Sequence, residues 1–306
     1  MPGNSPLWKG IRRLILCSAV CGFMLSIFWP RVTRVDNEFF NLYAALQVGH
    51  HSLYDPAAFA RVAASLHAGV MGARLFYCRM PYYAVLTAPL GWFHFDTALA
   101  IWQAVQFLAL LSAAAVWPGG RLSQFTVTLL SLPAVCAFVT VQDVSLLLFF
   151  VAASTALVAR GRSAPAGAVF ALCLMKPHLV LLVPLVMAVR KDYRFLAGAA
   201  AGVAALLLVS FAVGGTNWPL QWLASATNPQ VSPFPSASPG LRGLVQSGAW
   251  PAAFAIAAGL TFAVWKCARH CPVEKAIAVA GGGPGDQRSL AGGRLRVADT
   301  RGGHGA

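Results

Sequence analysis

Apolar runs separated by short basic clusters set the pattern of this chain. The runs fall at about 12–30, 81–95, 97–117, 122–141, 143–159, 164–176, 177–190, 195–214 and 250–267. Several approach the roughly 20 residues an α-helix needs to cross hydrocarbon. Three of them, 81–95, 164–176 and 177–190, are short. A helix of about 15 residues rises about 22 Å, against a hydrocarbon core of about 30 Å. These three are expected to be tilted, half-crossing or re-entrant. The pattern predicts an all-α, polytopic transmembrane protein. The first run ends in Phe28, Trp29 and Pro30, which offers no small-residue cleavage site, so it reads as a retained helix and not a signal peptide.

Two longer polar stretches interrupt the runs. The first, 31–80, mixes Asp36, Glu38 and Asp55 with apolar residues such as Phe39, Leu42 and Leu46, and Pro56 opens a second helical pattern. Amphipathic helices lying on the membrane surface are expected there. The second, 215–249, is rich in Pro, Ser, Gly and Asn and reads as a loop. Residues 1–280 form one multi-pass domain on this reading. The Gly-rich, charged, aperiodic stretch 281–306 is expected to be a disordered cytoplasmic tail.

Composition narrows the class. Of 306 residues, 58% are hydrophobic and 10% charged, against roughly 25% charged in soluble domains. The net charge is +14, from 23 Lys and Arg against nine acids. Nucleic-acid binding is set aside, because the basic residues cluster between apolar runs, as topology signals do. Lys9, Arg12 and Arg13 place the N-terminus in the cytoplasm, and 31–80 then lies outside. If 81–95, with its Pro81 and Pro89, does not cross, then Arg121, the Arg160–Arg162 cluster, the Arg190–Arg194 cluster and the tail all become cytoplasmic, and 215–249 faces outward. Seven scattered cysteines, mostly within apolar runs, give no disulfide framework, and Cys267, His270 and Cys271 are an incomplete metal set.

The candidate chemistry sits at the outward end. Asp36 follows the first run and heads an amphipathic helix, where the dipole favours its charge. Arg79 stands where the chain re-enters lipid, and its guanidinium suits either snorkelling or bidentate phosphate binding. Gln142 and Asp143 interrupt one long apolar run, as a polar turn or as the lining of an outward cavity. Lys176 and His178 flank Pro177 between apolar stretches, and an ammonium there needs a counter-charge, either a protein acid or a phosphate.

These runs taken together resemble a known family. Asp36 is followed by Phe40, Tyr43, Ala44, Ala45 and Gly49, then by Leu53-Tyr54-Asp55-Pro56. Next come Phe76-Tyr77, Pro81-Tyr82-Tyr83 and Ala88-Pro89-Leu90, then Trp102, Gln142 and the pair Lys176-Pro177. This order is similar to glycosyltransferase family 87, the polyprenol-phosphate-mannose-dependent mannosyltransferase-like proteins of the GT-C superfamily, over about residues 12–260. The resemblance implies a hexosyltransferase that moves a mannose-like hexose from a polyprenyl-phosphate donor to a glycan or glycolipid acceptor, with inversion, at the outer face of the cell membrane. It implies Asp36 as general base, Lys176, Arg79 and His178 at the donor phosphate, and Tyr43, Tyr54, Tyr82, Gln142 and Asp143 lining the cavity. No cofactor or metal is implied. Family members usually continue into further helices with a late Ser-Pro-His and Tyr-Asp region, so the chain is expected to be truncated. The competing expectations are a multi-pass transporter or flippase-like protein, which would show matched broken helices, and an inactive, truncated homologue.

Overall fold

The computed structural model describes residues 38–66, 77–118, 141–227 and 248–280, and among the described residues there is no β-strand. The first apolar run, nearly all of 122–141 and the tail lie outside them, as does Asp36. The described α-helices are α1 (Glu38–Val48), α2 (Pro56–Ser65), α3 (Pro81–Thr87), α4 (Phe95–Val116), α5 (Val144–Ala159), α6 (Ser163–Ala171), α7 (Leu182–Val189), α8 (Tyr193–Gly214), α9 (Trp218–Thr227), α10 (Trp250–His270) and α11 (Val273–Ala280).

Three of these helices, α4, α8 and α10, are long and apolar enough to cross a membrane. The 22 residues of α8 rise about 33 Å. Its most apolar stretch has a mean hydropathy of 2.3, yet only 6% of that stretch is buried within the protein. Leu208 on α8 and Phe254 on α10 are 70% and 74% exposed. Apolar side chains at such exposure face lipid, since a soluble surface would not tolerate them contiguously.

The short runs are broken helices. After Pro81 sets the first turn, α3 runs seven residues and then tightens into a 3-10 turn, Ala88–Trp92, with Pro89 inside it. The two pieces together reach about 20 Å, short of the hydrocarbon thickness. Residues 163–192 form a helical hairpin. α6 passes into a 3-10 turn at Leu172–Met175, the chain bends at Lys176, a second 3-10 turn covers Pro177–Leu179, and α7 returns. The hairpin's feet meet, as the Ser163 hydroxyl donates to Asp192 Oδ2 at 2.7 Å.

One helix pair explains how so short a hairpin is held. A Cβ built at Gly167 would run into the Phe195 carbonyl, and one built at Gly198 into the Ala164 carbonyl. At Gly202 an added Cβ would come within 2.6 Å of the Ala171 side chain. The backbones of α6 and α8 are therefore in direct contact along a stripe of Gly and Ala, the close approach that small residues permit inside membranes. α8 in turn packs on α3, and α5 packs on both α4 and α6.

Two stretches hold more packing than the sequence pattern shows. α1 is covered on more than one face. Phe39, Phe40, Leu42, Tyr43, Ala44 and Ala45 are all buried. Neighbouring positions on opposite faces are covered because α3 and α4 both pack on it, and Phe39 stacks on Trp102 at 6.1 Å. The segment 215–249 also begins with a helix, α9, whose Trp218 is buried against Phe211 of α8. Its two tryptophans anchor what composition alone reads as loop.

Candidate active site

Three segments far apart in sequence meet at one end of the bundle. Arg79 precedes α3, Asp143 lies in the turn before α5, and Lys176 is the tip of the hairpin. Arg79 Nε and Nη2 both lie 2.7 Å from Asp143 Oδ2. Lys176 Nζ lies 2.8 Å from Asp143 Oδ1. The side chains are 11%, 3% and 11% exposed for Arg79, Asp143 and Lys176. One carboxylate thus bridges two cations in a nearly dry place. Lys176 meets its counter-charge in the protein, as one of its two sequence readings requires, and the partner is the acid before α5.

The backbone around Arg79 is clamped. The indole of Trp222 on α9 donates to the Cys78 carbonyl at 2.8 Å, and the Tyr54 hydroxyl donates to the Arg79 carbonyl at 2.7 Å. The Met80 carbonyl accepts from Tyr83 N–H at 3.0 Å and from the Tyr77 hydroxyl at 3.3 Å. At the start of α3 the Tyr82 N–H, an orphan of the first turn, donates to Ser210 Oγ of α8 at 3.2 Å. Burial pushes the Tyr54 hydroxyl well above the ordinary tyrosine range, and Cys78 adds to the shift, so Tyr54 remains a donor at any physiological pH. The ring of Tyr83 lies under the guanidinium, 5.4 Å from centroid to Cζ. Asp143 is fixed by a strained turn, in which the buried, β-branched Val141 has φ of 55°. Such conformations cost about 1–3 kcal/mol and persist where the surroundings over-determine them.

Beside the cluster lies a half-enclosed cavity of about 100 Å³. Arg79 and Asp143 contribute its charge, Phe39 and Trp102 its aromatic wall, and Asn41 and Tyr83 two further polar groups. Asn41 Oδ1 is a buried atom with no hydrogen-bond partner among the described residues, while the Tyr83 hydroxyl is engaged by the Asp143 carboxylate.

The other sequence candidates are placed differently. Tyr43 is buried and donates to the Phe93 carbonyl at 2.9 Å. Tyr82 is buried with its hydroxyl 3.5 Å from the Leu172 carbonyl. Gln142 is half-buried in the strained turn, and His178 is exposed just beyond the hairpin tip. Asp55 caps α2, accepting from Ala57 N–H at 2.9 Å. Asp36 lies outside the described residues, two positions before α1, whose first turns supply Phe39 and Asn41 to the cavity. Asn41 and Tyr83 were not found by sequence reasoning. The only available signal was their place inside motifs of the resemblance, between Phe40 and Tyr43 and after Pro81-Tyr82.

Comparisons with known proteins bear on what this arrangement serves. Neither the curated proteins nor the solved structures contain a match to the chain. The model of glycosyltransferase family 87 matches residues 80–282, more than half of the chain and the part that carries Asp143, Lys176 and all three long apolar helices. The chain therefore belongs to glycosyltransferase family 87, and its lipid-facing helices make it a membrane glycosyltransferase.

Proposed function

We propose that this transferase moves a mannose-like hexose from a polyprenyl-phosphate donor to a hydroxyl of a glycan or glycolipid, at the outer face of the cell membrane. The observation that carries the reading is the buried Arg79–Asp143–Lys176 cluster, which sets two cations around one carboxylate at a single end of the bundle. A lipid-linked sugar phosphodiester bears one negative charge. When the bond from the sugar's anomeric carbon to the phosphate oxygen breaks, the leaving polyprenyl phosphate becomes a monoester that carries up to two. Preorganised cations that meet this added charge stabilise the transition state more than the bound donor, which is what lowers a barrier.

The acceptor hydroxyl attacks the anomeric carbon from the face opposite the phosphate, so configuration inverts. Its proton passes to a carboxylate, and Asp36 is the proposed base. Asp36 is two residues from the start of α1, whose first turns line the cavity next to Arg79. Asp55 is occupied as a helix cap. The opposite end of α5 and of the hairpin carries Arg160, Arg162, Arg190, Lys191 and Arg194, the signature of a cytoplasmic face. The 16 residues of α5 put the cluster about 24 Å away from that face.

The test is transfer from a polyprenyl-phosphate hexose in liposomes. Asp36→Asn is expected to lower turnover about 10²–10⁴-fold with donor binding retained, while Asp55→Asn leaves turnover near normal. The reverse result would move the base to Asp55. Orientation is tested by labelling from outside the cell, with Ser52→Cys reacting and Ser289→Cys protected.

A further inference from the structure

The end of α5 far from the carboxylate cluster holds a second, open hollow of about 750 Å³. α5, α6, α7, α8 and α11 all contribute to its wall, as does the turn between α7 and α8. Val158, Met187 and Val273 give it an apolar lining, and Arg190, Lys191 and Arg194 bring positive charge. The acid in the lining is already committed. Asp192 Oδ2 accepts from the Ser163 hydroxyl at 2.7 Å, and Oδ1 accepts from the Phe195 N–H at 3.1 Å. Among the described residues neither Lys191 nor Arg194 forms an ion pair. Three cations against one acid leave the lining a net charge of +2.

Positive charge at this end serves topology wherever it stands. Topology does not account for a walled hollow, nor for the backbone of Lys191. Its φ is 58°, the left-handed position just past α7, where glycine ordinarily ends a helix. Any residue with a Cβ is strained there. The turn would be better served by glycine, so the lysine is kept for its charge.

The place of the hollow decides what meets that charge. It opens at the first turn of α8, a 22-residue helix whose apolar length faces lipid. A helix of about 33 Å only just exceeds a hydrocarbon core of about 30 Å, so its first turn stands among the headgroups. Tyr193 on that turn is 68% exposed, an amphipathic ring of the kind found at this level. Cations beside an apolar lining match the two parts of a lipid, a phosphate and the start of its acyl chains.

We propose that this hollow holds the headgroup of an anionic phospholipid, with its phosphate at Lys191 and Arg194 and its glycerol against the apolar lining. The site is separate from the carboxylate cluster and stands whether or not the transferase reading does. A headgroup held there joins the foot of the hairpin to α5, α8 and α11, and so stabilises the folded chain by its binding.

The test is equilibrium binding of fluorescent phosphatidylglycerol and fluorescent phosphatidylcholine to the full chain in non-ionic detergent. Phosphatidylglycerol is expected to bind about 10–30-fold tighter, about fivefold for each basic residue that meets its phosphate. Lys191→Gly and Arg194→Gln should each remove about fivefold of that preference and leave phosphatidylcholine binding unchanged. Lys191→Gly should also hold or raise the lipid-free unfolding temperature, because it relieves the backbone. The double change Arg160→Gln and Arg162→Gln lies outside the lining and should leave the preference nearly intact. A large excess of inorganic phosphate should not displace the lipid. Equal binding of the two lipids by wild type overturns the site. An equal loss from the Arg160 and Arg162 change also overturns it, since the attraction would then be diffuse. Displacement by inorganic phosphate would give the hollow to a soluble anion instead. A fall in lipid-free stability of Lys191→Gly with lipid preference intact would return Lys191 to a purely structural role and remove the site.

Discussion

The two ends of α5 use the same basic residue types in opposite ways. At the Ala159 end, Arg160, Arg162, Arg190, Lys191 and Arg194 are all exposed. Arg190 there donates to the carbonyls of Ala268 and Cys271 at 3.1 and 3.0 Å, closing the C-terminus of α10, where a cation also favours the helix dipole. At the Asp143 end, Arg79 and Lys176 are nearly dry and share one carboxylate. Solvated charges need only be numerous and on the right side. Buried charges must be matched atom for atom, and so they require a framework to hold them. The clamped carbonyls at 78–80 and the strained Val141 bear on the Asp143 end, and the Gly-Ala contact of α6 with α8 holds the foot of the hairpin whose tip carries Lys176.

Mutations can break that contrast. The largest effect is expected from Asp143→Ala, which leaves two neighbouring buried cations without the acid between them. The loss should be about 3–5 kcal/mol of stability, read as a lowered unfolding midpoint in detergent. Next is Lys176→Met, which keeps the length of the side chain and removes its charge. Turnover should fall about 10²–10³-fold, as when one preorganised donor to a developing oxyanion is lost, with a smaller loss of stability. Arg190→Ala should cost about 1 kcal/mol, the worth of its exposed bonds to α10, and leave transfer untouched. Should Arg190→Ala depress transfer as far as Lys176→Met, the two ends would not be functionally distinct. The double change Arg160→Gln and Arg162→Gln should move stability by less than about 0.5 kcal/mol. Its expected readout is a fraction of inverted molecules in the labelling assay.

Much of the fold was legible in the sequence, and the reasons are physical. The lengths of the apolar runs gave the crossing helices α4, α8 and α10, and Pro81 and Pro89 marked the broken segment. Lys176 announced that it needed a counter-charge, since an ammonium cannot rest alone among apolar residues. Its partner was not legible, because pairing across the bundle leaves no local pattern. Arg79 and Asp143 are 64 residues apart, and Tyr54 and Trp222 reach the Arg79 segment from 25 and 144 residues away. The Gly198-Ala-Ala-Ala-Gly202 spacing was not singled out in the sequence, because its meaning depends on the helix it meets, yet it explains why a short hairpin can hold its place. The burial of α1 escaped because consecutive aromatics at Phe39 and Phe40 look alike whether a helix lies on lipid or is covered from two sides.

The Gly-Ala contact also fixes an order of events during synthesis. The hairpin's limbs are too short to settle across a bilayer by their own length, and their support is α8, which leaves the ribosome after them. At about 5–20 residues per second, Gly202 follows Lys176 by roughly one to five seconds. During that interval Lys176 has Asp143 and α5 beside it, both made earlier, but not yet the helix that braces the hairpin. A substitution such as Gly198→Val would prolong this unbraced state, since docking on α8 is what ends it. Quality-control proteolysis of the nascent chain would then report the defect before any enzymatic assay could.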